Sequence, residues 1–179
     1  MTTSCIPSIH ICLDFVHEIL SQPDHSKKIF AMALVSHICE QFTIPKAYSC
    51  AKLCVDVVET LMTVLPGEEA VAFFDAVFDS LCRFAKILPP LMAKILKLFV
   101  QTAQYLKTRL NSQFLTLAPT NPADELCFHT DLDYKTENAK KRRIIYQVER
   151  DLCIEERILK KMNGWFRHGT STDILSIKL

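Results

Sequence analysis

The sequence predicts an all-α protein, an α-solenoid or HEAT-like array of about five antiparallel helices followed by a linker and one C-terminal helix. Three observations carry this. Apolar residues recur at three- and four-residue intervals, only three glycines occur in 179 residues, and the eight prolines fall mostly between the periodic stretches. Helix interiors are thereby spared both breakers, since glycine costs about 1 kcal/mol and proline about 3 kcal/mol relative to alanine. With 49% hydrophobic and 23% charged residues, a chain of this length can bury a substantial core.

The first helix is read from Ile9, Cys12, Phe15, Val16, Ile19 and Leu20, with Ser8 as its N-cap and a stop before Pro23. A second begins at Asp24 or Ser26 and turns Ile29, Phe30, Ala33, Leu34, His37 and Ile38 inward. It ends near Phe42, because Ile44 precedes Pro45 and is biased out of the helical region. The third, from Pro45 to about Leu65, starts on a proline suited to a first helical position and lines up Ala47, Ala51, Cys54, Val58, Leu61, Met62 and Leu65.

The fourth helix, from Glu68 to about Leu88, carries a stripe of Val71, Phe74, Val77, Phe78, Leu81, Cys82 and Ala85, with Phe73 and Phe84 to its sides. A helix apolar nearly all round is covered on more than one side. Pro89-Pro90 ends it, and a fifth runs from Pro90 to about Leu110 with Leu91, Ile95, Leu98, Phe99, Thr102 and Leu106 inward. Helices of this length joined by short connections pack antiparallel to their neighbours, and the wide apolar faces favour stacking over a closed bundle. Residues 1–110 thus form a helical-repeat domain, although no strict repeat of fixed period is visible.

Residues 111–133, rich in Ser, Thr, Asn and Pro, read as a linker, and residues 134–163 as an amphipathic helix with Ile144, Ile145, Val148, Leu152, Ile158, Leu159 and Met162 on a narrow stripe. Gly164 is its expected terminator, leaving residues 164–179 as a tail.

Charge excludes several functions. Twenty-one Lys and Arg against twenty Asp and Glu give a net charge of +1, so no global field draws in nucleic acid or anionic lipid, and no direct nucleic-acid contact is expected. The apolar run at residues 29–39, between Lys28 and Glu40, falls short of the roughly 18 residues a membrane span needs. No membrane contact is expected, and Met1-Thr2-Thr3-Ser4 does not open a secretory signal. Of the eight cysteines, Cys12, Cys39, Cys54 and Cys82 sit on apolar faces and read as small hydrophobes, and the chain reads as reduced.

Candidate chemistry is sparse. Cys50 and Cys54 share a helix face, and His37 and Cys39 lie on the preceding helix, yet this spacing lacks the close pair of a structural zinc knuckle. His37 reads as a core histidine. Asp75 with Asp79, and Glu155 with Glu156, read as solvated faces, and no phosphate loop, nucleophile turn or HExxH pattern occurs. Neither catalytic residues nor cofactor or metal ligands are expected. Two candidates remain: the basic run Lys140, Lys141, Arg142 and Arg143, as a basic patch or nuclear import signal, and Trp165 with Phe166, as an anchor for a partner.

The stretch at residues 30–101 contains, in order, LVSHIC at 34–39, IPKAYSCAKL at 44–53, ETLMTVL at 59–65, AFF at 72–74 and CRFAKILPPL at 82–91. In that order and spacing it resembles the C-terminal region of the Integrator complex subunit 2 family. The resemblance implies a non-catalytic helical-repeat segment of a nuclear scaffold that docks other Integrator subunits. The assembly it implies is associated with RNA polymerase II, processes small nuclear RNA 3′ ends and attenuates transcription. Since family members are much longer, it also implies that the chain is a fragment. The alternative is an unrelated cytosolic helical-repeat adaptor.

Overall fold

Proline and the residue before it set the breaks between helices. The computed structural model describes residues 9–42, 44–117 and 131–169, and among these every regular element is helical. A 3-10 segment at Ile9–Asp14 is followed by α1 (Val16–Ser21), α2 (His25–Gln41), α3 (Pro45–Val64), α4 (Gly67–Ile87), α5 (Pro89–Leu117) and α6 (Asp131–Gly169). The all-α expectation is met. The chain divides into two units, Met1–Leu98 and Phe99–Leu179, so the boundary falls within α5.

In the first unit the caps follow from local chemistry. Asp24 caps α2, its carboxylate accepting from the Ser26 N–H at 2.9 Å. Ile44 is extended at φ −103°, ψ 146° ahead of Pro45, which occupies the first turn of α3. Glu68 and Glu69 in the first turn of α4, and Lys86 in its last, complement the helix dipole.

α2 is the central element, packing on α4, α3, α1 and the 3-10 segment. Its buried residues are Lys28, Ala31, Met32, Val35, Ser36, Ile38 and Cys39; of the expected face Ile38 alone is among them, and Phe30 is 62% exposed. Apolar residues surround α2 along its length, so periodicity alone selects no face and the neighbours decide. The first helix is corrected in part: the 3-10 segment gives way to α1 at Phe15, which is exposed, while Ile9, Val16 and Leu20 are buried as expected and Leu13 joins them. Its expected cap, Ser8, lies outside the described residues.

α4 buries its whole expected stripe and also Phe73, Ser80 and Phe84. This follows from its two-sided contact with α2 and α3. Phe74, fully buried, meets Phe78 edge-on with ring centroids 6.1 Å apart. Leu91, Ile95 and Leu98 of α5 are buried as their spacing predicts.

The second unit is built from the rest of α5 and from α6. Phe99, Thr102, Leu106 and Leu110 form the buried stripe of α5, and Val148, Asp151, Ile154 and Ile158 that of α6. Phe99 stacks on Trp165 while Arg109 reaches Asp151, so numbering rises along one helix as it falls along the other and the two run antiparallel. α5 continues to Leu117 and α6 starts at Asp131, both inside the expected linker. α6 also runs through Gly164 to Gly169, because stacking of Trp165 on Phe99 offsets the roughly 1 kcal/mol helical cost of a glycine. The remainder of the linker, 118–130, and the tail from 170 lie outside the described residues. No helix among the described residues is long and apolar enough to cross a membrane.

Candidate functional site

Two cysteines are tied to the backbone of the first unit, and Cys153 lies exposed on α6. Cys39 Sγ donates to the Ala47 carbonyl at 3.6 Å, and Cys50 Sγ, half-buried, donates to the Leu13 carbonyl at 3.7 Å. Burial pushes the Cys39 thiol up to about 11, with Cys50 adding to the rise. Burial also raises Cys54, strongly, and Cys50. Thiols so placed stay protonated at neutral pH, whereas a nucleophile must be a thiolate. Among the described residues no three His, Cys, Asp or Glu side chains are grouped to hold a metal ion.

His37 is corrected from the core to a half-exposed joint between α2 and α4. Arg83 Nη1 donates to its Nδ1 at 2.7 Å and lies 3.6 Å from Glu40, which is itself 3.7 Å from the imidazole. Asp75 is half-buried and Asp79 exposed on α4; Glu155 is half-buried and Glu156 exposed on α6. These acids are not gathered into one pocket.

Two charged arrangements escape a residue-by-residue reading. On the first, Lys94 of α5 bonds both Asp56 and Glu59 of α3, and Lys97 lies 3.5 Å from Glu59. The hydrogen bond from Lys94 lowers the Glu59 carboxyl below its usual range, and the bonds to Asp56 and then Glu59 raise the Lys94 amine. The second is the buried Asp151, with Arg109 Nε at 3.0 Å and Arg150 Nη2 at 3.3 Å. Its signal is in the sequence: an acid interrupts the apolar stripe of the last helix, and a buried carboxylate requires a cation.

The sequence-derived candidates are placed as follows. Lys140, Lys141, Arg142 and Arg143 are all exposed on α6 and, at 100° per residue, point to successive sides of the helix. Trp165 is half-buried, stacked on Phe99 at 5.5 Å with an interplanar angle of 22°, and Lys161 lies over its ring at 6.0 Å. Phe166, next in sequence, is exposed. The two residues of the expected anchor therefore occupy different faces. The first unit offers a shallow apolar depression of about 290 Å³ bordered by Phe42, Ile44, Tyr48 and Leu88. Such an arrangement can bind by surface complementarity, through apolar faces rimmed by charge.

A family model described as Integrator complex subunit 2 matches residues 1–111. This chain belongs to the Integrator complex subunit 2 family. Human Integrator complex subunit 2 is 34% identical over 172 residues, covering 91% of this chain and 14% of the human protein. The chicken relative of the same name is 33% identical over 174 residues, again 91% of this chain and 14% of the relative. The Drosophila relative is 30% identical over 132 residues, 73% of this chain and 12% of its own. The family match thus includes the 3-10 segment and α1 as well as the stretch at 30–101, and the chain spans only 14% of the length of its human relative.

Proposed function

We propose that this chain is a non-catalytic scaffold segment of the nuclear Integrator complex, holding other Integrator subunits through protein–protein contacts. In that role it supports small nuclear RNA 3′-end processing and regulation of RNA polymerase II transcription. The observation that carries the reading is the family match across α1 to α4 and most of α5. The cysteine chemistry agrees with it, since raised thiols serve packing better than reaction. Exposed apolar residues bordered by charge, such as Leu152 and Leu159 beside Glu156, supply surfaces suited to subunit contacts. The basic run at Lys140 to Arg143 serves in the same reading as a nuclear import signal or a basic docking patch.

The test is affinity capture with the tagged full chain from nuclear extract. Recovery of Integrator subunits above an untagged control is the expected result. Recovery of none, with the chain itself intact and helical, would remove the docking role and favour a family member acting outside that assembly.

A further inference from the structure

α6 carries a second apolar line besides the one that packs on α5. Ile145, Leu152 and Leu159 lie seven residues apart and are 47%, 43% and 47% exposed. Seven residues at 100° each fall about 20° short of two full turns, so the three side chains stay within about 40° of one another. They form a seam of the coiled-coil kind, along which a second helix packs with each knob set between residues of its neighbour. The charges beside the seam change sign along it. Residues three and four positions away are a helical residue's neighbours on the surface. Before Ile145 these are Lys141 and Arg142, both exposed; beyond Leu152 they are Glu155, half-buried, and Glu156, exposed.

This pattern is symmetric about the point midway between Val148 and Glu149. Lys141 and Arg142 lie as far before that point as Glu156 and Glu155 lie after it, and Ile145 as far before it as Leu152 after it. A two-fold axis through the point therefore lays two copies of α6 antiparallel with apolar residues against apolar and cations against anions, the self-complementarity that a contact between identical surfaces requires. Ile145 of each copy meets Leu152 of the other, and four oppositely charged pairings flank these two layers. Other arrangements lose the match. Centred on Leu152, an antiparallel pair sets Glu149 level with Glu155 and moves Lys141 and Arg142 opposite Asn163 and Met162; a parallel pair in register sets each charge level with itself. In the symmetric register Glu149, beside the axis, is the one flanking charge that falls next to its own counterpart.

We infer that the Ile145, Leu152 and Leu159 seam joins two copies of this chain, α6 antiparallel on α6, with Lys141 and Arg142 of each copy facing Glu155 and Glu156 of the other. Exposed ion pairs add little attraction each, so the charges set direction and register while the apolar layers hold the pair together. The contact goes beyond the docking role proposed above and does not depend on it.

The test is analytical ultracentrifugation of the full 179-residue chain, carried up to about 200 μM because so small a contact associates weakly. A monomer–dimer equilibrium is expected. Leu152→Asp should weaken it at least tenfold, and so should either charge reversal, Lys141→Glu with Arg142→Glu or Glu155→Lys with Glu156→Lys. Each reversed chain meets like charge in its own dimer, whereas a mixture of the two restores all four pairings. The mixture should associate at least tenfold more tightly than either variant alone. Circular dichroism confirms that each variant is folded; should Glu155→Lys unfold α6, Arg142→Glu mixed with Glu156→Lys makes the same comparison. A chain monomeric throughout, a dimer indifferent to Leu152→Asp and to the reversals, or a mixture no tighter than its components overturns the inference. Recovery of Integrator subunits by the wild-type chain is read separately, so a failed seam leaves the docking role standing.

Discussion

Asp151 is the position where one substitution should reveal most about the second unit. Its carboxylate is fully buried in the stripe by which α6 packs on α5, held by Arg109 at 3.0 Å and Arg150 at 3.3 Å. Asp151→Ala leaves the Arg109 guanidinium, only 14% exposed, without its acid. Removing one partner of a buried pair costs about 3–5 kcal/mol when the other is left dry. Both arginines here keep some water, and the Arg109 contact is an ion pair rather than a directed hydrogen bond, so we expect a loss at or just below the lower limit of that range, about 2–3 kcal/mol. The chain has one tryptophan, and Trp165 sits on the same helix pair, so its fluorescence reports this unit directly. At an m-value of about 2 kcal/mol/M, the urea midpoint of the fluorescence transition should fall by about 1–1.5 M. Replacing both partners together, Asp151→Leu with Arg109→Met, should recover most of the loss, because an apolar pair of similar volume needs no compensation. A midpoint unchanged by Asp151→Ala, or a double variant as unstable as the single one, would refute the reasoning.

Three further outcomes are expected. Phe74→Ala, at a fully buried ring in α4, should destabilise by about 3–5 kcal/mol in equilibrium denaturation, and a loss below 1 kcal/mol would show that the α4 face is wrongly assigned. Gly164→Ala should stabilise by about 0.5–1 kcal/mol, since the glycine lies inside α6 and an added Cβ meets nothing within 4 Å; a lower melting temperature would contradict the continuous helix. Lys94→Met removes a link between α5 and α3 that is partly exposed and so contributes no more than about 1 kcal/mol. The lowered Glu59 carboxyl makes its share present above the usual glutamate range of about 4.3 and lost as pH falls through the folded value; the raised Lys94 amine makes its share present below about 10.4 and lost as pH rises through the folded value. The difference in melting temperature between wild type and variant should therefore be flat from about pH 5 to 10 and shrink at both ends, and a difference independent of pH would exclude the ion pair as its cause.

Proline positions told where helices break, because they constrain the chain locally whatever the tertiary context: Ile44 before Pro45, Leu65-Pro66 and Leu88 before Pro89 all lie between helices. Burial faces were legible on α4 and α5, whose apolar residues outnumber the sides available to them. They were not on α2, where Phe30 and Val35 are equally oily and only contact with α4 leaves one out and the other in. The ends of α5 and α6 were misread for a related reason: polar residues at 111–117 and Gly164 are poor local helix formers or terminators, and packing or continuation of the backbone bonds overrides them. Asp151 could have been picked out as an acid in an apolar stripe. The Lys94, Asp56 and Glu59 link could not, since α3 and α5 are not consecutive helices and their polar edges carry no mark of which neighbour they face.

The central claim is that this chain's surfaces are spent on other Integrator subunits. Lysine-directed cross-linking in intact nuclei, read by mass spectrometry, tests it most directly, because Lys140, Lys160 and Lys161 are exposed along α6 beside the proposed seam. We expect cross-links from these lysines to other Integrator subunits. Cross-links confined to this chain itself, or to cytosolic proteins alone, would contradict the claim.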